Sequence, residues 1–190
     1  MSQEQTVNDT LSLEAKALIV LLCAVFYVYA FQLNQYLFEH LSFSQGVNWI
    51  FIPSGLRLLF VLVFLEAGAV GVVAGSIFVN YTLSPDTNVS NLISGFLSGA
   101  SPLVAHAIAT RLLGLDVSLS GFHARQLLKV SILFAVISSV LHQCWYFLTG
   151  QTDNLISSMA VMGLGDWLGT VLVLTAVTYT LKLVRRLLPK

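Results

Sequence analysis

Apolar residues fall in long runs along this chain, parted by short polar segments. Six such runs, at about 13–37, 49–65, 67–83, 91–113, 127–148 and 158–183, each approach or exceed the ~17 residues that an α-helix needs to cross a bilayer. The pattern predicts an all-α fold: a polytopic membrane bundle of six transmembrane helices in one domain, 1–190. A tight turn is expected between the second and third runs, at Glu66-Ala67-Gly68. The third run is rich in glycine and alanine.

The basic residues order these runs. Lys16 opens the first. Arg111, Arg125 and Lys129 flank the connection between the fourth and fifth. Lys182, Arg185, Arg186 and Lys190 follow the sixth. With six crossings all eight fall on one side, while the connections at 38–48, 84–90 and 149–157 carry acids and no Lys or Arg. The positive-inside rule then places both termini in the cytoplasm. Five or seven crossings would scramble the sorting. Arg57 is the one base left over.

Composition narrows the class further. The 190 residues are 56% hydrophobic and 9% charged, against about 25% charged in soluble domains, too little polar surface for a water-soluble globule of this size. The formal net charge is zero, and no basic patch with interleaved aromatics points to nucleic acid. Cys23 and Cys144 lie inside apolar runs and read as reduced, small interior residues. No His-Xaa3-His or Cys-Xaa2-Cys spacing supports a metal or haem, and no cofactor is expected. Met1–Thr10 is polar, and the first run is long enough to remain as a span, so no cleavable signal peptide is expected.

Arg57 stands in the middle of the second run and keeps its charge there. A guanidinium at mid-bilayer costs roughly 2.5–3.5 kcal/mol on the lenient insertion scales, so the protein must offset it. Depth identifies a candidate partner. Arg57 lies eight residues from Trp49, and Asp166 eight from Ser158, which puts both ~12 Å below the outer surface at ~1.5 Å per residue. Asp166 is the only acid in the last two spans. The expectation is that Arg57 and Asp166 meet across the bundle. His142 comes to ~9 Å by the same rise, with Gln143 beside it, and Asn34 and Gln35 end the first span on that side. Together they outline a polar pocket in the outer half. The alternative is an internal ion pair that only sets helix packing.

Pro53-Ser54-Gly55 interrupts the second run near its outer end. It either lines a cavity, as broken backbone in a membrane does, or is an ordinary first-turn proline. A similar break, Ser94 to Pro102, lies in the fourth run, and two interrupted spans point to a central binding site. Gly71 with Gly75, Gly95 with Gly99, and Gly165 with Gly169 each put two small residues on one helix face, which permits close internal packing or dimerisation. Ser98 and His142 could be imagined as a protease pair, but no Gly-Xaa-Ser-Xaa-Gly elbow supports it, and a non-catalytic protein is expected. His106 reads as an interior histidine. Trp49, Trp145 and Tyr146 lie towards outer span ends, as an interfacial belt requires.

Pro53-Ser54-Gly55 on an early span and Gly165-Asp166-Trp167-Leu168-Gly169 on a late one resemble the bacterial membrane-associated sensor domain family of the first type. That family pairs a Pro-Xaa-Gly-like motif with a Gly-Asp-Xaa-Xaa-Gly motif. Its members serve as input halves of histidine kinases and diguanylate cyclases. The resemblance covers the middle and end of the chain. It implies a multi-pass domain of the bacterial inner membrane that senses a ligand or docks a partner, with Pro53, Gly55, Asp166 and Gly169 as marked positions. The expectation is a shortened, stand-alone member with fewer spans than usual and no output domain, so that a sensor kinase, cyclase or other membrane protein would supply the output. Two other functions fit the same pattern. A substrate-binding subunit of an energy-coupling-factor-type vitamin transporter suits the size, the six spans and an internal pocket. The Ala-Xaa3-Ala docking face usual there is replaced here by Ala24 and Val28. A structural subunit of a larger membrane complex would use Arg57–Asp166 only as architecture.

Overall fold

The computed structural model describes residues 11–44, 46–83, 88–114 and 124–187; the polar segment 1–10 and Lys190 lie outside them. Hydrocarbon offers no hydrogen bonds, so each apolar run closes its backbone bonds within itself as a helix. Helix α1 spans Leu13–Phe38, α2 Ile52–Leu83, α3 Asn88–Ala107, α4 Ala124–Leu148 and α5 Leu155–Leu187; a π-helical turn, Ile108–Leu112, extends α3. All five are long and apolar enough to cross a membrane. The Ser12 hydroxyl caps α1 by accepting from the Ala15 amide at 3.2 Å.

Helix α2 doubles back on itself. At Leu65 the backbone leaves the helical region (φ 48°, ψ −121°), a conformation that costs a residue with a side chain of order 1–3 kcal/mol. The Phe60 carbonyl lies directly against Gly68, although eight residues of straight helix would separate them by ~12 Å. Only a residue without Cβ fits there. The element is therefore two arms, 52–64 and 66–83, joined at Leu65, one residue before the turn expected at 66–68.

Several boundaries differ from the run pattern. Helix α2 starts at Ile52 rather than at 49, because a small antiparallel ribbon precedes it, β1 (Ser42–Ser44) paired with β2 (Val47–Asn48). Gly46 turns it at φ 73°. The fold is otherwise all-helical, as expected, and hydropathy does not register so short an element as the ribbon. Helices α3, α4 and α5 each start three residues earlier than expected, at Asn88, Ala124 and Leu155, and α5 runs on to Leu187. At α5, Asn154 accepts from the Ser157 amide at 3.2 Å and caps the start.

The α2 arms form the centre, packed against α1, α3 and α5, while α4 joins α3 to α5. Burial follows this order: 56% of the apolar window of α2 is buried, against 17% for α1. Towards the Leu65 turn the interior is apolar, with Leu58, Leu62, Ala105, Ala109, Leu127, Val130, Phe134 and Leu174 in one cluster. Towards the ribbon it is polar. Asn34, Ser54, Ser94, Ser98, His142, Gln143 and Asp166 are all buried there.

Candidate functional site

Arg57 lies where the apolar and polar halves meet and is 1% exposed. Its first arm of α2 aims it between α3 and α4. Nε donates to the Ser98 carbonyl at 2.9 Å. Nη2 donates to the hydroxyls of Ser101, at 2.8 Å, and Ser138, at 3.2 Å. The guanidinium carbon sits 5.4 Å from the centroid of the Phe134 ring, within cation–π range. Pro102 explains the first of these bonds. Proline has no amide hydrogen, so the carbonyl four residues before it in a helix, that of Ser98, has no intrahelical donor. Arg57 supplies the donor that Pro102 lacks.

None of these three bonds goes to Asp166. The expected direct ion pair is replaced by a relay: Ser138, which accepts from Arg57, also interacts with the Asp166 carboxyl, and the guanidinium charge reaches it electrostatically. Helix α4 places the Ser138 hydroxyl in the gap between the two charges. Asp166 is 1% exposed, and its Oδ2 is buried without a hydrogen-bond partner among the described residues.

A cavity of about 330 Å³ opens beside the guanidinium, towards the ribbon end of the bundle. Arg57, His142 and Gln35 line it, with Tyr27, Asn48, Ser76, Asn80, Ser94, Ser98 and Tyr146 as further polar walls. A chain of hydrogen bonds stiffens one side. Ser76 donates to Ser98 at 3.0 Å, Ser98 to the Ser94 carbonyl at 3.0 Å, and Ser94 bonds Tyr146 at 2.9 Å. His142 Nδ1 lies 2.9 Å from the Ser138 carbonyl and Nε2 lies 3.3 Å from the Ser98 hydroxyl. A carbonyl only accepts, so Nδ1 carries the hydrogen and Nε2 of the neutral ring accepts. Ser98 and His142 thus stand together, but the orienting group is a carbonyl rather than a carboxylate, and the serine hydrogen is also claimed by Ser94. The arrangement suits a hydrogen-bonding wall better than a nucleophile and its base.

Asp166, Gln143, Pro53 and Gly55, expected in the pocket, are buried outside its lining. Asp166 sits behind Ser138, and Gln143 donates to the Met162 sulfur at 3.2 Å. Pro53 occupies the first turn of α2, where no amide is missed. Asn34 caps that turn, accepting from the Ile52 amide at 2.8 Å. The two sequence motifs meet each other instead. Gly169 lies against the Phe51 carbonyl, and Gly55 against the Gly169 carbonyl and Val173. Gly165 packs on Asn48, and its carbonyl accepts from the Phe51 amide at 3.2 Å. Ser54 donates to the Asp166 carbonyl at 2.7 Å.

No protein family, curated protein or solved structure matches this chain. The other glycine pairs also serve packing within the chain. Gly71 and Gly75 face α1 at Val20, Cys23, Ala24 and Tyr27, while Gly95 and Gly99 face Ile77, Ala69 and Val73. All six glycines are buried, so these faces are occupied internally rather than offered to a second copy. Among the described residues no group of three or more His, Cys, Asp or Glu could hold a metal. Ser76, Ser101, Ser138 and Tyr27 carry no sequence signal of their own, since serines are routine in membrane helices. The Ser98 carbonyl does carry one: the proline four residues on marks it as an acceptor in need of a donor.

Proposed function

We propose that this protein is a non-catalytic, multi-pass module of the bacterial inner membrane. It takes a small ligand into the cavity beside Arg57 and conveys the occupied state to a partner protein. The cavity itself is the observation that carries this reading. It is small, walled by fixed polar groups and joined through Arg57 and Ser138 to four helical segments, so an occupant has a mechanical route to the rest of the bundle. The doubled-back α2 supports six crossings, and the sorted Lys and Arg residues support cytoplasmic termini. The shared Pro-Xaa-Gly and Gly-Asp-Xaa-Xaa-Gly motifs favour the membrane-associated sensor family, whose output domains are kinases and cyclases.

A second reading, the binding subunit of an energy-coupling-factor-type transporter, is favoured by the position of the cavity beneath the ribbon at one end of the bundle. Photo-crosslinking in native membranes, followed by purification in mild detergent, separates the two. The sensor reading expects enrichment of a sensor kinase or diguanylate cyclase, with the yield altered by a cavity-filling Ser94→Trp. Enrichment of transporter ATP-binding subunits would transfer the assignment to the second reading. A large complex without either, unaffected by Ser94→Trp, would make the chain a structural subunit.

A further inference from the structure

We infer that the cavity is a site for a small organic oxyanion, a carboxylate, sulfonate or phosphate ester borne in water, held by the Nη1 edge of Arg57. The inference rests on the ligand-binding reading above and adds the chemistry of the occupant. Hydrogen bonds engage Nε and Nη2 of Arg57. Among the described residues no hydrogen bond engages Nη1, whose two donors remain for whatever enters the cavity that Arg57 lines. Paired N–H groups of a guanidinium match an oxyanion in geometry as well as charge.

The charge distribution points the same way. Arg57 is the one formally charged side chain in the lining among the described residues. Asp166 stands on the Nη2 side, one serine hydroxyl further back. Coulomb energy falls with distance, so the nearer guanidinium sets the sign of the potential at the cavity face. The remaining walls are hydroxyl, amide and phenol groups such as Ser94, Asn80 and Tyr146, which can donate to an anion without adding charge. Phe31 and Phe51 offer an apolar surface to an organic body. A volume of about 330 Å³ is at the small end for ligand sites. Ser42 and Gly46 of the ribbon stand in the lining and are themselves exposed, so access is from the ribbon end rather than from the lipid-facing flank.

The test is charge-selective labelling of the full chain. Ser94→Cys is made in a background carrying Cys23→Ala and Cys144→Ala, and right-side-out vesicles are treated with two methanethiosulfonate reagents. One carries a sulfonate and the other a trimethylammonium group, and each rate is normalised to reaction with a free thiol. The sulfonate is expected to react roughly ten-fold faster, as charged clefts focus opposite ions, with the preference shrinking as salt rises. Adding Arg57→Gln is expected to abolish the preference. Should that variant not accumulate, the salt dependence in the Ser94→Cys protein decides alone. Equal normalised rates, or a faster ammonium reagent, would overturn the oxyanion inference and leave the pocket standing. A preference that survives Arg57→Gln would overturn the role of Arg57. Reaction with neither reagent would mean a cavity closed to water and would sink both readings.

Discussion

Arg57 concentrates the chemistry of this chain in one side chain. Its charge would cost a few kcal/mol in hydrocarbon, and three hydrogen bonds, the Phe134 ring and the Asp166 carboxyl behind Ser138 offset that cost. Removing one member of a buried charge pair leaves the other uncompensated, at about 3–5 kcal/mol, whereas replacing both with apolar groups is often nearly neutral. Arg57→Met and Asp166→Leu should each lower the melting temperature strongly, and the double variant should recover most of the loss. Fluorescence-detected size-exclusion after heating reads this out. Strict additivity of the two losses would mean that Ser138 transmits no coupling. Arg57 and Asp166 were legible from the sequence because each is a rare charge at matching depth. Ser138 was not, because one serine among many has no distinguishing pattern until α4 places it between the charges.

The elements meet through glycine. Helix α5 approaches the start of α2 so closely that a Cβ on Gly169 would overlap the Phe51 carbonyl, while a Cβ on Gly163 would come no nearer than 3.1 Å to the Ser139 hydroxyl. Gly169→Ala should therefore destabilise by about 1–3 kcal/mol, the usual cost of overpacking. Gly163→Ala should stay within about 0.5 kcal/mol. Unfolding in mixed micelles, followed by circular dichroism, compares them, and equal effects would deny the close approach of α5 to α2. Both motifs stand out in the sequence, Pro53-Ser54-Gly55 as an interruption of its run and Gly165 with Gly169 as paired small residues. That they pack against each other follows from the doubled-back α2, which brings its first turn alongside α5.

At the scale of the whole molecule, the α2 hairpin and the sorted bases support the proposed six crossings with cytoplasmic termini. Truncation fusions after residues 66, 87 and 187 test this directly. A fluorescent protein should glow after 66 and 187, and alkaline phosphatase should be active only after 87. Phosphatase activity after 66 would reverse the first crossing pair, and inactivity after 87 would mean that the second arm of α2 does not cross. Hydropathy is a local property, and in lipid it compels helix formation whatever the neighbours, so the helical class and approximate bounds could be read from the chain alone, whereas the second and third runs of the expected six share one kinked helix, Ile52–Leu83, and leave five among the described residues. The anomaly of a charge among apolar residues is equally local. Which side chains surround that charge is not: it depends on how α2 folds back, how α3 presents a carbonyl freed by Pro102, and how α4 turns Ser138 inward. Only packing decided that Arg57 faces a cavity and that Asp166 stands behind a hydroxyl, because burial and distance between helices are properties of the assembled bundle.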